Sequence, residues 1–141
     1  MSVRAVRGAT QLERDEPGHM HERVAELVGL ILECNKLESA NLISIWFTAT
    51  QDLHSDYPAY AARQMGFTDV PLMCTQEMDV EGGMPRVVRV MAHVDTDMSR
   101  ADITHVYLHG AAALRRDLSH VRAVPDEPAS DEPATDEPAG G

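Results

Sequence analysis

The chain has 141 residues, enough for one domain with a real core and too few for two comfortable ones. It carries 12 Lys and Arg against 23 Asp and Glu, a net charge of −11; the last 17 residues alone hold six acids and no base, leaving a body of about −5. A net negative body without a basic stripe argues against nucleic-acid binding, which depends on clustered cations releasing counterions.

Ser2–Thr10 reads as a strand of β-formers interrupted by Arg4 and Arg7, with Gly8 as its stop. Asp15-Glu16-Pro17 is a helix-start signal, and Val24, Leu27, Val28, Ile31 and Leu32 come after it at the spacing of an amphipathic helix that ends near Asn35 and covers a sheet. Ile43–Ala49, rich in β-branched and aromatic residues, predicts a second strand buried on both faces. Asp56-Tyr57-Pro58 opens a short helix that Gly66 stops. Pro71–Cys74, Val87–Thr96 and His105–Leu114 are expected as the third, fourth and fifth strands. The fold class expected is therefore α+β: a mixed sheet of about five strands packed with one long and one short helix. The longest apolar stretch, Val24–Cys34, is broken by Glu26 and Glu33 and falls short of a membrane span, and no signal peptide is read, so a cytoplasmic location is expected. Asp-Glu-Pro-Ala then repeats three times from Asp126; with nothing apolar to bury, 123–141 is expected as a disordered acidic tail behind a domain of residues 1–122.

Single arginines set into apolar strands are the chemical signal. A guanidinium keeps its proton, so Arg7 and Arg89 must each end at water, a carboxylate or an anionic ligand. Alternation puts Val87, Arg89, Met91 and His93 on one face of the fourth strand and Val88, Val90, Ala92 and Val94 on the other. Taken singly, Arg89 snorkels to solvent or pairs with Glu77 or Asp79; taken with Arg7, Glu77 and Tyr107 it suits a small anionic substrate. Metal chemistry is not expected. His19-x-His21 lies at a helix start, and His105 and His109, four apart on a strand, would be about 13 Å apart. Cys34 and Cys74 have no CxxC spacing, and Gly82-Gly83 lacks the lysine of a phosphate loop.

Over about residues 3–119 the chain resembles the trimeric, mixed α/β class of monofunctional chorismate mutases. The likeness is carried by Val6-Arg7-Gly8-Ala9-Thr10, Glu13-Arg14-Asp15, Ala49-Thr50-Gln51-Asp52-Leu53-His54, Tyr57-Pro58-Ala59, Cys74-Thr75-Gln76-Glu77-Met78-Asp79-Val80, Arg89-Val90-Met91, His105-Val106-Tyr107-Leu108 and Leu114-Arg115. The resemblance implies a homotrimer forming a pseudo-α/β-barrel, active sites between subunits, and conversion of chorismate to prephenate with no cofactor and no metal. It further implies that Arg7 and Tyr107 hold a substrate carboxylate, that Arg89 faces the ether oxygen and a carboxylate, and that Glu77 and Cys74 meet the ring hydroxyl. Tyr57, Ala59, Tyr60, Met73, Leu114 and Arg115 would line the cavity, with Arg63 at its rim. Tyr60 stands where the family pattern has lysine, Arg116 where proline is common, and the segment 65–70 is one residue short. Two other classes compete: a non-catalytic module binding a small carboxylate unchanged, and a hydrolase-like relative whose only candidate nucleophile is Cys74, which thiol alkylation would silence.

Overall fold

The computed structural model describes residues 1–114 and the backbone of 115 and of 121–124. Its elements are β1 (Ser2–Gln11), α1 (Pro17–Cys34), β2 (Leu42–Ala49), α2 (Pro58–Gln64), β3 (Leu72–Gln76), β4 (Val87–Thr96), β5 (His105–Leu108) and β6 (Val121–Val124). The strands form one mixed sheet in the order β3-β2-β4-β1-β5-β6. The central strand β4 is antiparallel to β1 and β2, whereas β1·β5, β2·β3 and β5·β6 are parallel. The α+β class and the five expected strands are present; β6 is an addition that extends the edge beyond β5.

Both helices begin where proline predicts. Pro17 and Pro58 occupy the first turn of α1 and α2, where the missing N–H costs nothing. The Glu16 carboxylate caps α1 by accepting the His19 N–H at 3.1 Å. Gly66, at φ 102°, ends α2 in the left-handed region. Along α1, Met20, Val24, Leu27, Val28 and Ile31 are fully buried against Val6, Val88, Val90, Val94, Val106 and Leu108. The approach is close at Gly8, where a Cβ would stand 2.9 Å from the Val106 carbonyl oxygen and 3.0 Å from methyl carbons of both Ile31 and Leu27.

Two expectations are corrected. The fifth strand stops at Leu108 instead of Leu114, because His109 takes φ 55° and sends 109–115 into a 3-10 helix. The second strand is buried on one face only: Ile45 and Phe47 lie in the core, while Trp46 is 45% exposed. Trp46 shares the uncovered face with Met73, its partner in the β2·β3 register, and with Val3 on β1, which are 52% and 59% exposed. The acidic repeats, together with Arg116, Asp117 and Leu118, lie outside the described residues. Among those described, no helix is long and apolar enough to cross a membrane.

Candidate active site

On the face away from α1, register aligns four side chains across four strands. Thr48 of β2 is opposite Arg89 of β4, Arg89 is opposite Ala9 of β1, and Ala9 is opposite Tyr107 of β5. Ala9 contributes only a methyl group, which leaves open space between the guanidinium and the phenol. Arg7 lies two residues before Ala9 on the same face, opposite Met91. Glu77 comes directly after β3, its N–H bonded to the Ala49 carbonyl at 2.9 Å, and so enters the row from the β2 side. Arg7, Glu77, Arg89 and Tyr107 thus surround one hollow of about 250 Å³, completed by Trp46, Thr48 and Met91.

Inside it, Nε of Arg89 donates to Oε2 of Glu77 at 3.0 Å, and the same oxygen accepts the Thr48 hydroxyl at 2.8 Å. The other Glu77 oxygen accepts the Met78 N–H at 3.3 Å. The carboxylate therefore holds the arginine through its inner nitrogen, and the half-exposed Arg89 side chain lines the hollow. Tyr107 is buried, packed with Ala9, Val87 and Ala111 and covered by Leu114. No carboxylate or carbonyl pairs with the Arg7 guanidinium among the described residues. The result is a small cavity lined by two cationic groups, a phenol and a single anchored carboxylate paired with one of the cations, which suits an anionic molecule carrying a hydroxyl.

The remaining expected site residues lie elsewhere in the same chain. Cys74 is paired with Phe47, and its sulfur turns toward α2, where it accepts the Ala59 N–H at 3.3 Å. Burial pushes the Cys74 thiol up, outweighing the Ala59 N–H and the Arg63 charge that act the other way. A thiol held protonated is a poor nucleophile, which deprives the hydrolase-like alternative of its activated group. Cys74 and Tyr57 line a second hollow of about 480 Å³. Tyr60 is exposed on α2 with its ring 5.3 Å from that of His21, and Arg63 is exposed one turn later. Met73 lies beside Trp46, and Arg115 ends the 3-10 helix that carries Leu114.

Carboxylates fasten the loop entering α2. Asp15 accepts the N–H groups of His54 and Ser55 at 2.8 and 3.0 Å; burial would raise its pKa, but these donors outweigh it and hold it low. Asp56 is lowered by the Tyr57 N–H and by His21, whose Nε2 lies 2.8 Å away. His109 joins neither His105 nor the hollow: it reaches Glu26 of α1 at 2.8 Å and contacts Arg23. Among the described residues, no cluster of three or more His, Cys, Asp or Glu is placed to hold a metal ion.

Sequence reasoning missed Thr48 and Trp46. Their alternation on the second strand was visible, but nothing local to them revealed that Arg89 would be the neighbour.

Residues 3–118 match the family model "Chorismate mutase type I". The chain is 44% identical over 117 residues to chorismate mutase AroH of Thermus thermophilus, covering 82% of this chain and 96% of that one. It is 41% identical over 120 residues to chorismate mutase AroH of Bacillus subtilis (strain 168), covering 84% and 94%. A solved chorismate mutase from Clostridium thermocellum superposes with a TM-score of 0.76 at 44% identity, covering 77% of this chain and 97% of that one.

Proposed function

The chain belongs to the type I chorismate mutase family and is an isomerase converting chorismate to prephenate in aromatic amino acid biosynthesis, and we propose that Arg7, Glu77, Arg89 and Tyr107 carry the reaction. The observation behind this assignment is their convergence on one hollow, with Arg89 aligned by Glu77 at 3.0 Å. The rearrangement is intramolecular: the ether C–O bond breaks, a C–C bond forms, and no proton, water or electron enters or leaves. It requires a folded-up substrate conformer and compensation for negative charge growing on the ether oxygen. Arg7 and Tyr107 grip a carboxylate and restrict rotation, which removes unproductive conformers before the chemical step. The terminal nitrogens of Arg89 face the ether oxygen and bind it more strongly as it gains charge. Glu77 accepts from the ring hydroxyl while holding Arg89 in line.

The two hollows are complementary halves of a site shared between copies. Tyr57, Ala59, Tyr60, Arg63, Met73 and Cys74 of one protomer close over Arg7, Glu77, Arg89 and Tyr107 of its neighbour, with Leu114 and Arg115 at the rim, in a trimer forming a pseudo-α/β-barrel. Exposed Val3, Trp46 and Met73 on the bare sheet face support this arrangement, since such a patch is stable in water when another surface covers it. The catalytic domain spans residues 1–122, 123–141 is an acidic appendage without a catalytic part, the enzyme is cytoplasmic, and no cofactor is used. The test is loss of chorismate ultraviolet absorbance with prephenate as sole product, run beside sedimentation. Chorismate left untouched by purified protein would refute the site, and an active monomer would refute the shared arrangement.

A further inference from the structure

Arg7 is aimed by its backbone, because among the described residues no protein group holds its guanidinium. The parallel β1·β5 ladder begins with Gly8 opposite Val106. One residue earlier, an imidazole stands where a backbone acceptor would otherwise be: the Arg7 N–H donates to Nδ1 of His105 at 2.9 Å. A ring accepting through Nδ1 carries its proton on Nε2 when neutral.

His105 is itself firmly placed. The preceding residue, Thr104, is gripped by both backbone groups: its N–H donates to Oδ1 of Asn35 at 2.7 Å and its carbonyl accepts from Nδ2 at 2.9 Å. Asn35 is buried at the end of α1 and also donates to the Ile31 carbonyl at 2.8 Å. Hydrogen bonds therefore tie the α1 core through Asn35 to Thr104, the peptide bond carries that anchoring to His105, and a further hydrogen bond passes it to the Arg7 amide. The His105 ring borders the neighbouring hollow with Arg4 and Arg100, so Arg7 forms the wall between that space and the reactive one.

We infer that His105 is a positioning residue that completes the β1 ladder at Arg7 and so sets the direction of the guanidinium toward the substrate carboxylate. This rests on the proposed role of Arg7 in gripping that carboxylate. Without the ring the amide loses its acceptor, and β1 is free to shift at Arg7, whose guanidinium no other described residue holds.

The test is steady-state kinetics on the full chain for His105→Ala, His105→Asn, Arg7→Ala and the double variant. His105→Ala should raise KM for chorismate about five- to tenfold, the size of one lost hydrogen bond, with kcat within about twofold. His105→Asn should recover most of that loss, because its Oδ1 can take the place of Nδ1. In the Arg7→Ala background, removing the ring should add less than about twofold, because the two residues act as one unit. An unchanged KM in His105→Ala, or the same increment with Arg7 already gone, would overturn the inference. Arg7→Ala at wild-type KM and kcat/KM would instead overturn the site assignment on which it rests. If His105→Ala does not fold, His105→Asn against His105→Gln decides: a raised KM only in the Gln variant supports the inference, and equal values refute it.

Discussion

Replacing Arg89 by Lys separates charge from geometry. Arg89 uses Nε for Glu77 at 3.0 Å and keeps two further nitrogens on the same planar fork, whereas a lysine ammonium is a single point on a flexible stem. It can pair with Glu77 or reach the ether oxygen, and the anchored carboxylate, already fixed by Thr48 at 2.8 Å, competes for it. Losing one preorganised donor at a developing oxyanion costs roughly 100- to 1,000-fold in kcat, about 2.7–4 kcal/mol. Arg89→Ala should show that loss and Arg89→Lys a loss of at least about 100-fold, with kcat and kcat/KM falling together, as for a contact made only in the transition state. Stability should scarcely change. The side chain is 47% exposed, and ion pairs that open to water contribute at most about 1 kcal/mol. Chorismate absorbance decay measures the rates, and melting curves measure the fold. A lysine enzyme within tenfold of wild-type kcat would show that net charge suffices and that the fork geometry is irrelevant.

Three further outcomes are expected. Gly8→Ala places a Cβ 2.9 Å from the Val106 carbonyl oxygen, a backbone atom that cannot yield cheaply, so it should cost about 1–3 kcal/mol and lower the melting temperature by roughly 3–10 °C; unchanged melting would show that α1 and β5 can move apart. His19 is buried, and burial together with Arg23 and Arg14 lowers its pKa. The unfolded chain then takes up a proton below pH 6.5 while the fold resists it, so stability present above that pH is lost as pH falls; melting temperatures at pH 7 and 5 should converge in His19→Asn, and an equal slope in both proteins would rule His19 out. In a Cys34→Ser background, Cys74 should alkylate at neutral pH more slowly than a free thiol, since burial raises its pKa; labelling at the free-thiol rate would contradict the packing against α2.

Local pattern was enough for much of the fold. The apolar spacing of α1, the prolines opening both helices and the alternation of β4 are properties of consecutive residues, and each element formed where its residues indicated. The errors fell where a single residue or a distant partner decided. The expected fifth strand was cut short by the left-handed backbone at His109, whose side chain finds Glu26 some eighty residues earlier. Trp46 has the composition of a buried strand residue, and one chain leaves it bare. For the site, Arg7 and Arg89 were conspicuous as cations among apolar neighbours. Thr48 and His105 were not: their importance lies in registers that join β2 to β4 and β5 to β1, which no short window contains.

The bare face also bears on how strongly Arg89 can act. A guanidinium beside a growing negative charge is worth far less in water than in a dry, fixed environment, because solvent screens the same interaction. In a single chain the hollow is open, and Arg89 stands half in solvent on a sheet face that also exposes the apolar side chains of Trp46, Met73 and Val3. Covering that face would bury apolar surface and expel water around Arg89 in one step. The drive to assemble and the electrostatic strength of the site then have the same source, and a charged substitution such as Trp46→Glu should weaken both. Loss of assembly with catalysis intact in that variant would show that Arg89 works without a neighbour to exclude water, and would separate the two roles joined here.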